Sequence, residues 1–253
     1  MTTRAYRFGA VAPPRPVSPW DGVLVVDKPA GVTSHDVVDR IRRAFRLDKV
    51  GHGGTLDPQA TGVLIILLGK GTKLSDRFIG SDKVYQGVLR LGITTDSHDG
   101  DGEVLREADY SAVTQEQVEA EMRRRTGDLM HTPPMVSAVK LGGVPLYKRA
   151  RKRETVERQP RLIHVYEFRL LRFAPPEVEF RIRCTKGTYV RQLCHEIGEA
   201  VGCGAYLAQL RRLASGDITI AQATPLAELL RLTPEALQAK VLPLRTLSLG
   251  QDG

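Results

Sequence analysis

Asp57 is the residue whose surroundings point most directly to chemistry. It lies in Gly51-His52-Gly53-Gly54-Thr55-Leu56-Asp57-Pro58-Gln59-Ala60-Thr61-Gly62. The glycines let backbone come close to a ligand, and Pro58 stiffens the chain directly after the carboxylate. An acid held this way can attack a carbon or take up a proton. An Asp-Pro pair can also close a turn through its own backbone and do no chemistry, so the loop alone leaves both readings open. Its position favours function, because a long loop that enters a buried strand is a common place for a site.

Two other constellations fail on spacing. Gly62 to Gly71 ends in Gly-Lys-Gly, but six residues separate Gly62 from Gly69 and Gly71 stands where a phosphate loop needs Ser or Thr. Cys184, Cys194 and Cys203 suit neither a zinc knuckle nor a disulfide framework. Cys194 and His195 are adjacent on an expected helix and point in different directions, so core packing is the reading and no metal is assigned.

The elements that must position the loop follow from periodicity. Val23 to Val26 is an apolar run ending in Asp27-Lys28-Pro29-Ala30-Gly31, which reads as a buried strand and a turn. Thr33 or Ser34 caps a helix with Val37, Val38, Ile41 and Phe45 on one face and a largely basic opposite face. The loop itself runs into the apolar stretch Val63 to Leu68. Further strands are expected at 83–92, 162–173 and, most clearly, 177–184, where Val178, Phe180, Ile182 and Cys184 alternate with charged residues. Thr114 and Gln117 form a capping box that opens a helix over 114–126. A second helix follows Gly187 and stops at Gly202, and two short ones occupy 225–232 and 234–241. This order suggests an α+β fold with no internal repeat.

Composition sets the class. With 42% hydrophobic and 26% charged residues, the chain is neither disordered nor a coiled coil. A net charge of +8 is consistent with a polyanionic partner. Between Lys140 and Arg172 there are ten Lys or Arg and three acids, with Tyr147 and Tyr166 interleaved. That stretch is either a solvated basic face or a surface that follows phosphates and supplies affinity without choosing sequence. No run approaches the roughly 20 apolar residues that span a bilayer, and the first twenty residues lack the apolar core of a signal peptide. A flexible N-terminal tail and a cytoplasmic location are expected.

The aspartate loop, with Gly22-Val23-Leu24, Asp27-Lys28-Pro29, Lys83-Val84-Tyr85, Lys186-Gly187-Thr188-Tyr189-Val190-Arg191 and Leu210-Arg211-Arg212-Leu213, resembles the TruB-type tRNA pseudouridine-55 synthases over residues 21 to 215. The resemblance implies a mixed, largely antiparallel sheet flanked by helices, the pseudouridine synthase fold. It makes Asp57 the catalytic carboxylate, paired with Arg191. Tyr85 would stack on the target base, and Tyr189 and Leu210 would line the pocket. His52 would stack into the RNA and assist base flipping, while Lys28 would support the pocket or meet a phosphate. The reaction breaks a glycosidic bond, turns the base and rejoins the sugar carbon to C5. The carboxylate would add covalently or deprotonate the sugar, and since no group or electron leaves the substrate no cofactor is needed. The implied partner is the T-loop and stem of tRNA, bound by a monomer.

Two other classes share some of these features. A non-catalytic RNA-binding protein would use the basic stretch and Tyr85 without Asp57, and a nucleoside hydrolase would break the same bond. The expected organisation is a tail over 1–20, a catalytic domain over 21–215 with an RNA-embracing insertion at about 106–161, and a short helical extension over 216–253. Only forty residues follow Leu213, too few for the C-terminal PUA domain that bacterial relatives carry.

Overall fold

The computed structural model describes residues 18–135, 140, 141, 144, 145 and 156–247. In chain order the strands and helices are β1 (Gly22–Lys28), α1 (Ser34–Ala44), β2 (Val50–His52), β3 (Thr61–Leu68), α2 (Ser75–Gly80), β4 (Lys83–Leu91), β5 (Ile93–Thr95), β6 (Val104–Glu107), α3 (Gln115–Arg124), β7 (Gly127–His131), β8 (Lys140–Leu141) and β9 (Val144–Pro145). Then follow β10 (Arg161–Ala174), β11 (Glu177–Cys184), α4 (Val190–Ala200), β12 (Ala205–Ser215), β13 (Ile218–Thr219), β14 (Thr224–Pro225), α5 (Leu226–Leu229), α6 (Pro234–Gln238), β15 (Leu242–Pro243) and α7 (Leu244–Leu247).

One sheet organises the molecule, in the order β14-β1-β3-β12-β4-β11-β10-β7, with β2 added on β3, β13 on β12 and β15 on β1. Only β1–β14 and β3–β12 pair in parallel; the other ladders are antiparallel. The α+β expectation of a mixed, largely antiparallel sheet therefore holds. β3 is apolar from Val63 to Leu68 because both of its faces are covered. Leu64, Ile66 and Leu68 face the main core with Leu24 and Val26 of β1 and Val37, Val38 and Ile41 of α1. Val63, Ile65 and Leu67 face a second cluster with Val23, Val25, Phe78 and Ile218. β11, by contrast, buries only one side, which preserves its alternation.

Caps start the helices where the sequence places them. Thr33 and Asp36 form a reciprocal box on α1, and Thr114 and Gln117 do so on α3. The C-terminal segment departs from the expectation of helices alone. It contributes β13, β14 and β15 to the sheet, and Leu226, Leu229, Leu237 and Val241 join the main core. The tail over 1–17 lies outside the described residues, as do most of 136–155 within the expected insertion. The described part of that insertion is bound to the sheet: Val118 and Met122 of α3 are in the main core, and β7 pairs with β10. All three cysteines are buried thiols, and burial pushes Cys184 up to about 12.

Gly62 shows how closely the central strands approach. Its φ is +96°, and a Cβ there would sit 2.2 Å from the backbone oxygen of Arg212 on β12. Gly62→Ala should destabilise the fold by roughly 2 kcal/mol or more, from left-handed strain plus the clash with immovable backbone. Denaturant unfolding checks this; a loss below about 0.5 kcal/mol would mean the β3–β12 contact yields easily.

Candidate active site

Asp57 projects from the loop between β2 and β3, and its neighbours fix the loop. Leu56 and Ala60 are buried anchors on either side. Ser34, the first residue of α1, clamps Leu56 twice: Leu56 N donates to Ser34 Oγ at 2.9 Å, and Ser34 Oγ donates back to Leu56 O at 3.1 Å. Ala60 N donates to Asp57 O at 3.1 Å, closing a turn around the aspartate. The carboxylate itself stays free to face the cleft.

Lys28 holds the loop from behind. Its side chain is completely buried, and Nζ donates to Pro29 O at 2.9 Å, Val32 O at 2.7 Å and Pro58 O at 2.8 Å. Of the two roles read for Lys28, support and phosphate contact, only support has geometry here, since no surface of the ammonium is left for RNA. Burial lowers its pKa to about 8, with the Arg212 charge adding to that and Asp57 opposing it. Lys28→Met should cost about 2 kcal/mol, because three buried carbonyls lose their donor while the cost of burying a cation is relieved. Turnover should fall with it as Pro58 loosens. Unchanged kcat in a folded Met variant would show that the clamp does not matter for the aspartate.

Arg191 meets Asp57 from the first turn of α4. Its side chain is only 4% exposed; Nε lies 3.5 Å from Asp57 Oδ2 and Nη1 lies 3.0 Å from Asp99 Oδ2. A cation at a helix N-terminus meets an unfavourable dipole, and two carboxylates offset it. Asp99 sits in the loop between β5 and β6, docked on β12 where Leu207 N donates to His98 O at 3.0 Å.

The Asp57 side chain is 43% exposed, yet it stands at the floor of a cleft crowded by protein. Poor solvation is the largest influence and raises its pKa above the ordinary carboxylate value; Arg191 pulls it down, Asp99 pushes it up, and Lys28 pulls it down again. Arg191 is thus the chief support of the ionised form.

Tyr85, Tyr189 and Leu210 complete the same chamber. A cavity of about 260 Å³ is lined by Asp57, Tyr85, Tyr189, Arg191 and Leu210 among others. Tyr189 caps α4 through its backbone, its N–H donating to His131 Nε2 at 3.1 Å. Burial, with Arg161 nearby, lowers His131 to about 4, so its ring is neutral and able to accept. Arg161 and Arg191 stand over the Tyr189 ring at 5.2 and 5.7 Å. A second, wider cavity of about 760 Å³, lined by Gln59, Gln86, Asp99, Asp101 and Arg211, meets the first at Asp57 and Leu210. A chamber sized for one base therefore opens onto a groove, with the carboxylate at the junction.

Two expected site residues, Lys28 behind the loop and His52, do not line the chamber. His52 lies on β2 opposite Ile66 and is half-buried, and burial, then Arg212, lowers its pKa. Two residues of the site were missed from sequence: Asp99 and Arg212, which lines the chamber beside Tyr85. Among the described residues no cluster of three or more His, Cys, Asp or Glu is placed to hold a metal ion.

The basic stretch is only partly described. Of its ten cations, Arg158, Arg161, Arg169 and Arg172 have described side chains. Arg158 donates to Pro133 O, Arg161 to Gly187 O, and Arg169 and Arg172 pair with Glu167 and Glu179. The other six side chains and Tyr147 lie outside the described residues. No helix among the described residues is long and apolar enough to cross a membrane.

Asp57, Tyr85, Tyr189, Arg191 and Leu210 thus share one chamber beside the mixed sheet. Residues 42–190 match the family model of TruB family pseudouridylate synthases (N-terminal domain), and residues 191–247 match that of the tRNA pseudouridylate synthase B C-terminal domain. The chain belongs to the TruB family. tRNA pseudouridine synthase B of Opitutus terrae is 51% identical over 223 residues, covering 88% of this chain and 89% of the relative. That of Syntrophotalea carbinolica is 46% identical over 215 residues, covering 85% and 70%. Among solved structures, a crystal structure of a Cbf5-Nop10-Gar1 complex aligns with a TM-score of 0.70 at 30% identity over 89% of this chain. The chain spans 61% of that protein's length.

Proposed function

We propose that this chain isomerises uridine 55 in the T-loop of tRNA to pseudouridine, with Asp57 as the reacting carboxylate. The observation that carries this reading is the 3.5 Å contact of Arg191 with Asp57 in a chamber shared with Tyr85 and Tyr189. The chamber falls below the roughly 300 Å³ at which pockets for drug-sized ligands begin, which suits one extruded base. The reaction needs no partner reagent: N1–C1′ breaks, C5–C1′ forms, and the C5 proton is lost while N1 gains one. Asp57 can serve it by attacking the sugar or by removing a sugar proton. Tyr85 offers a face on which the detached uracil can stack, a contact worth about 1–3 kcal/mol. His52, on β2 ahead of the aspartate loop, would enter the gap left by the flipped nucleotide.

Incubation with an unmodified T-loop transcript tests the reading. Pseudouridine is expected without added metal or cofactor. Release of free uracil would mean hydrolysis instead, and binding without any chemical change would leave an RNA-binding protein.

Affinity should fall steeply with salt if the stretch from Lys140 to Arg172 meets phosphates. Each contact contributes a slope of about −0.7 to −0.9 in log K against log salt, so a summed slope near −3 or steeper is expected. A flat response between low and physiological salt would remove that stretch from RNA binding.

A further inference from the structure

We propose that Arg212 is a positioning residue that ties the aspartate loop to the strand that carries Tyr85, so that the carboxylate and the base platform keep one geometry while the detached base turns. This deepens the isomerase reading and rests on it.

Arg212 lies on β12 between β3 and β4, opposite Gly62 on one side and Tyr85 on the other. Its side chain is almost wholly buried, at 1% residue exposure. A guanidinium presents five N–H groups in one plane. Here Nε donates to Val63 O at 2.7 Å, Nη1 to Thr55 O at 3.1 Å and Nη2 to Gly54 O at 3.3 Å. On β4 the ladder partner of Arg212 is Tyr85, and both residues line the same chamber. The acceptors belong to the loop two and three residues before Asp57 and to the strand after it, while Arg212 itself sits in the ladder with the strand that carries the base platform. A register shift between Arg212 and Ala214 lets β12 turn this side chain inward.

The surroundings make a merely structural need an unconvincing explanation. None of its side chain's hydrogen-bond partners is a carboxylate, so carbonyl dipoles offset the burial of this charge. Two further buried cations, Lys28 and Lys83, feel its repulsion; burial is the larger cause, and both sit near 8. An apolar side chain would avoid that cost but would leave three carbonyls without a donor. What a neutral or single-headed side chain lacks is a rigid fork that holds the loop and β3 at once from a strand paired with Tyr85. The chemistry requires such a link, because between bond breaking and bond making nothing covalent holds the base, and a misplacement near 1 Å costs about 100-fold in rate.

Arg212→Lys keeps the charge but gives one flexible ammonium that cannot reproduce the fork over all three carbonyls. On the T-loop transcript kcat should fall about 100-fold or more while KM stays within about threefold. The acid limb of the pH profile should hardly move, because the leading charges on Asp57 are Arg191, Asp99, Lys28 and Asp101. Retention of kcat within threefold alongside a lowered melting midpoint would overturn the proposal and leave Arg212 structural. A KM rise with kcat preserved, or a shifted acid limb, would overturn it too. Should the Lys variant fail to fold, Arg212→Gln, which removes the buried charge, gives the same reading of kcat against KM. Absence of conversion by the wild-type protein would refute the isomerase reading itself.

Discussion

Asp57→Asn should reduce pseudouridine formation at least about 10⁴-fold while changing RNA affinity by less than about threefold. Asn keeps the shape of the side chain but can neither attack the sugar nor accept its proton, so both routes open to Asp57 close together. Affinity should survive because the platform residues Tyr85 and Tyr189 and the backbone of the loop are untouched. Stability should hold or rise. The folded pKa of Asp57 lies above its unfolded value, so the folded chain binds that proton more tightly, and ionisation at neutral pH works against the fold. Removing the charge removes that cost, although Arg191 loses one of its two carboxylates. Loss of tritium from C5-labelled uridine, filter binding and a melting curve measure the three quantities. Conversion within tenfold of wild type would exclude Asp57 from the reaction; lost conversion together with lost binding would make it a docking residue.

How much of this was legible follows from what each element buries. α1, α3 and β11 each bury one face, so their apolar residues recur at the helical or strand period and their boundaries are readable. β12 is different. It is central to the sheet, yet its eleven residues carry two register irregularities, after Leu207 and after Arg212, and it buries an arginine. Alternation breaks at each shift, and a buried cation reads as a surface one. The strand was therefore visible only as a piece of family resemblance around Leu210. β13, β14 and β15 are two residues each, too short for any period to show.

The site divides the same way. Asp57 announced itself through glycines and a proline, because the backbone around a rigid exposed acid has special needs. Arg191 was read as the carboxylate's partner, but its burial was not, since a helix start is ordinarily solvated. Asp99 could have been suspected: Asp96-Ser97-His98-Asp99-Gly100-Asp101-Gly102 is dense in turn residues between two short strands. What no local pattern supplies is that this turn reaches across to β12 and brings a second acid to Arg191. Lys28 carried the opposite difficulty. Lysine is almost always exposed, and the three carbonyls that accept its protons come from Pro29, Val32 and Pro58, which only the fold assembles.

Arg191→Met is the substitution that separates charge support from packing, and its largest effect should appear as a displaced pH profile. In the intact protein poor solvation and Asp99 both push the Asp57 pKa up, and Arg191 is the leading influence that pulls it down. Without the guanidinium that pull is lost. The acid limb of kcat/KM, which reports ionisation in the free enzyme, should move to higher pH, so that activity lost near pH 7 returns in part as the pH is raised. Asp57 is substantially exposed, which screens the effect. A second consequence falls on the fold: Asp99, with 18% side-chain exposure, loses its 3.0 Å partner, and stripping a mostly buried carboxylate of its cation costs about 3 kcal/mol. Arg191→Lys should lie between, because a single ammonium cannot bridge Asp57 and Asp99 at once. If the rate of the Met variant falls equally at every pH, the guanidinium does not govern Asp57 ionisation and must act on the bound nucleotide itself.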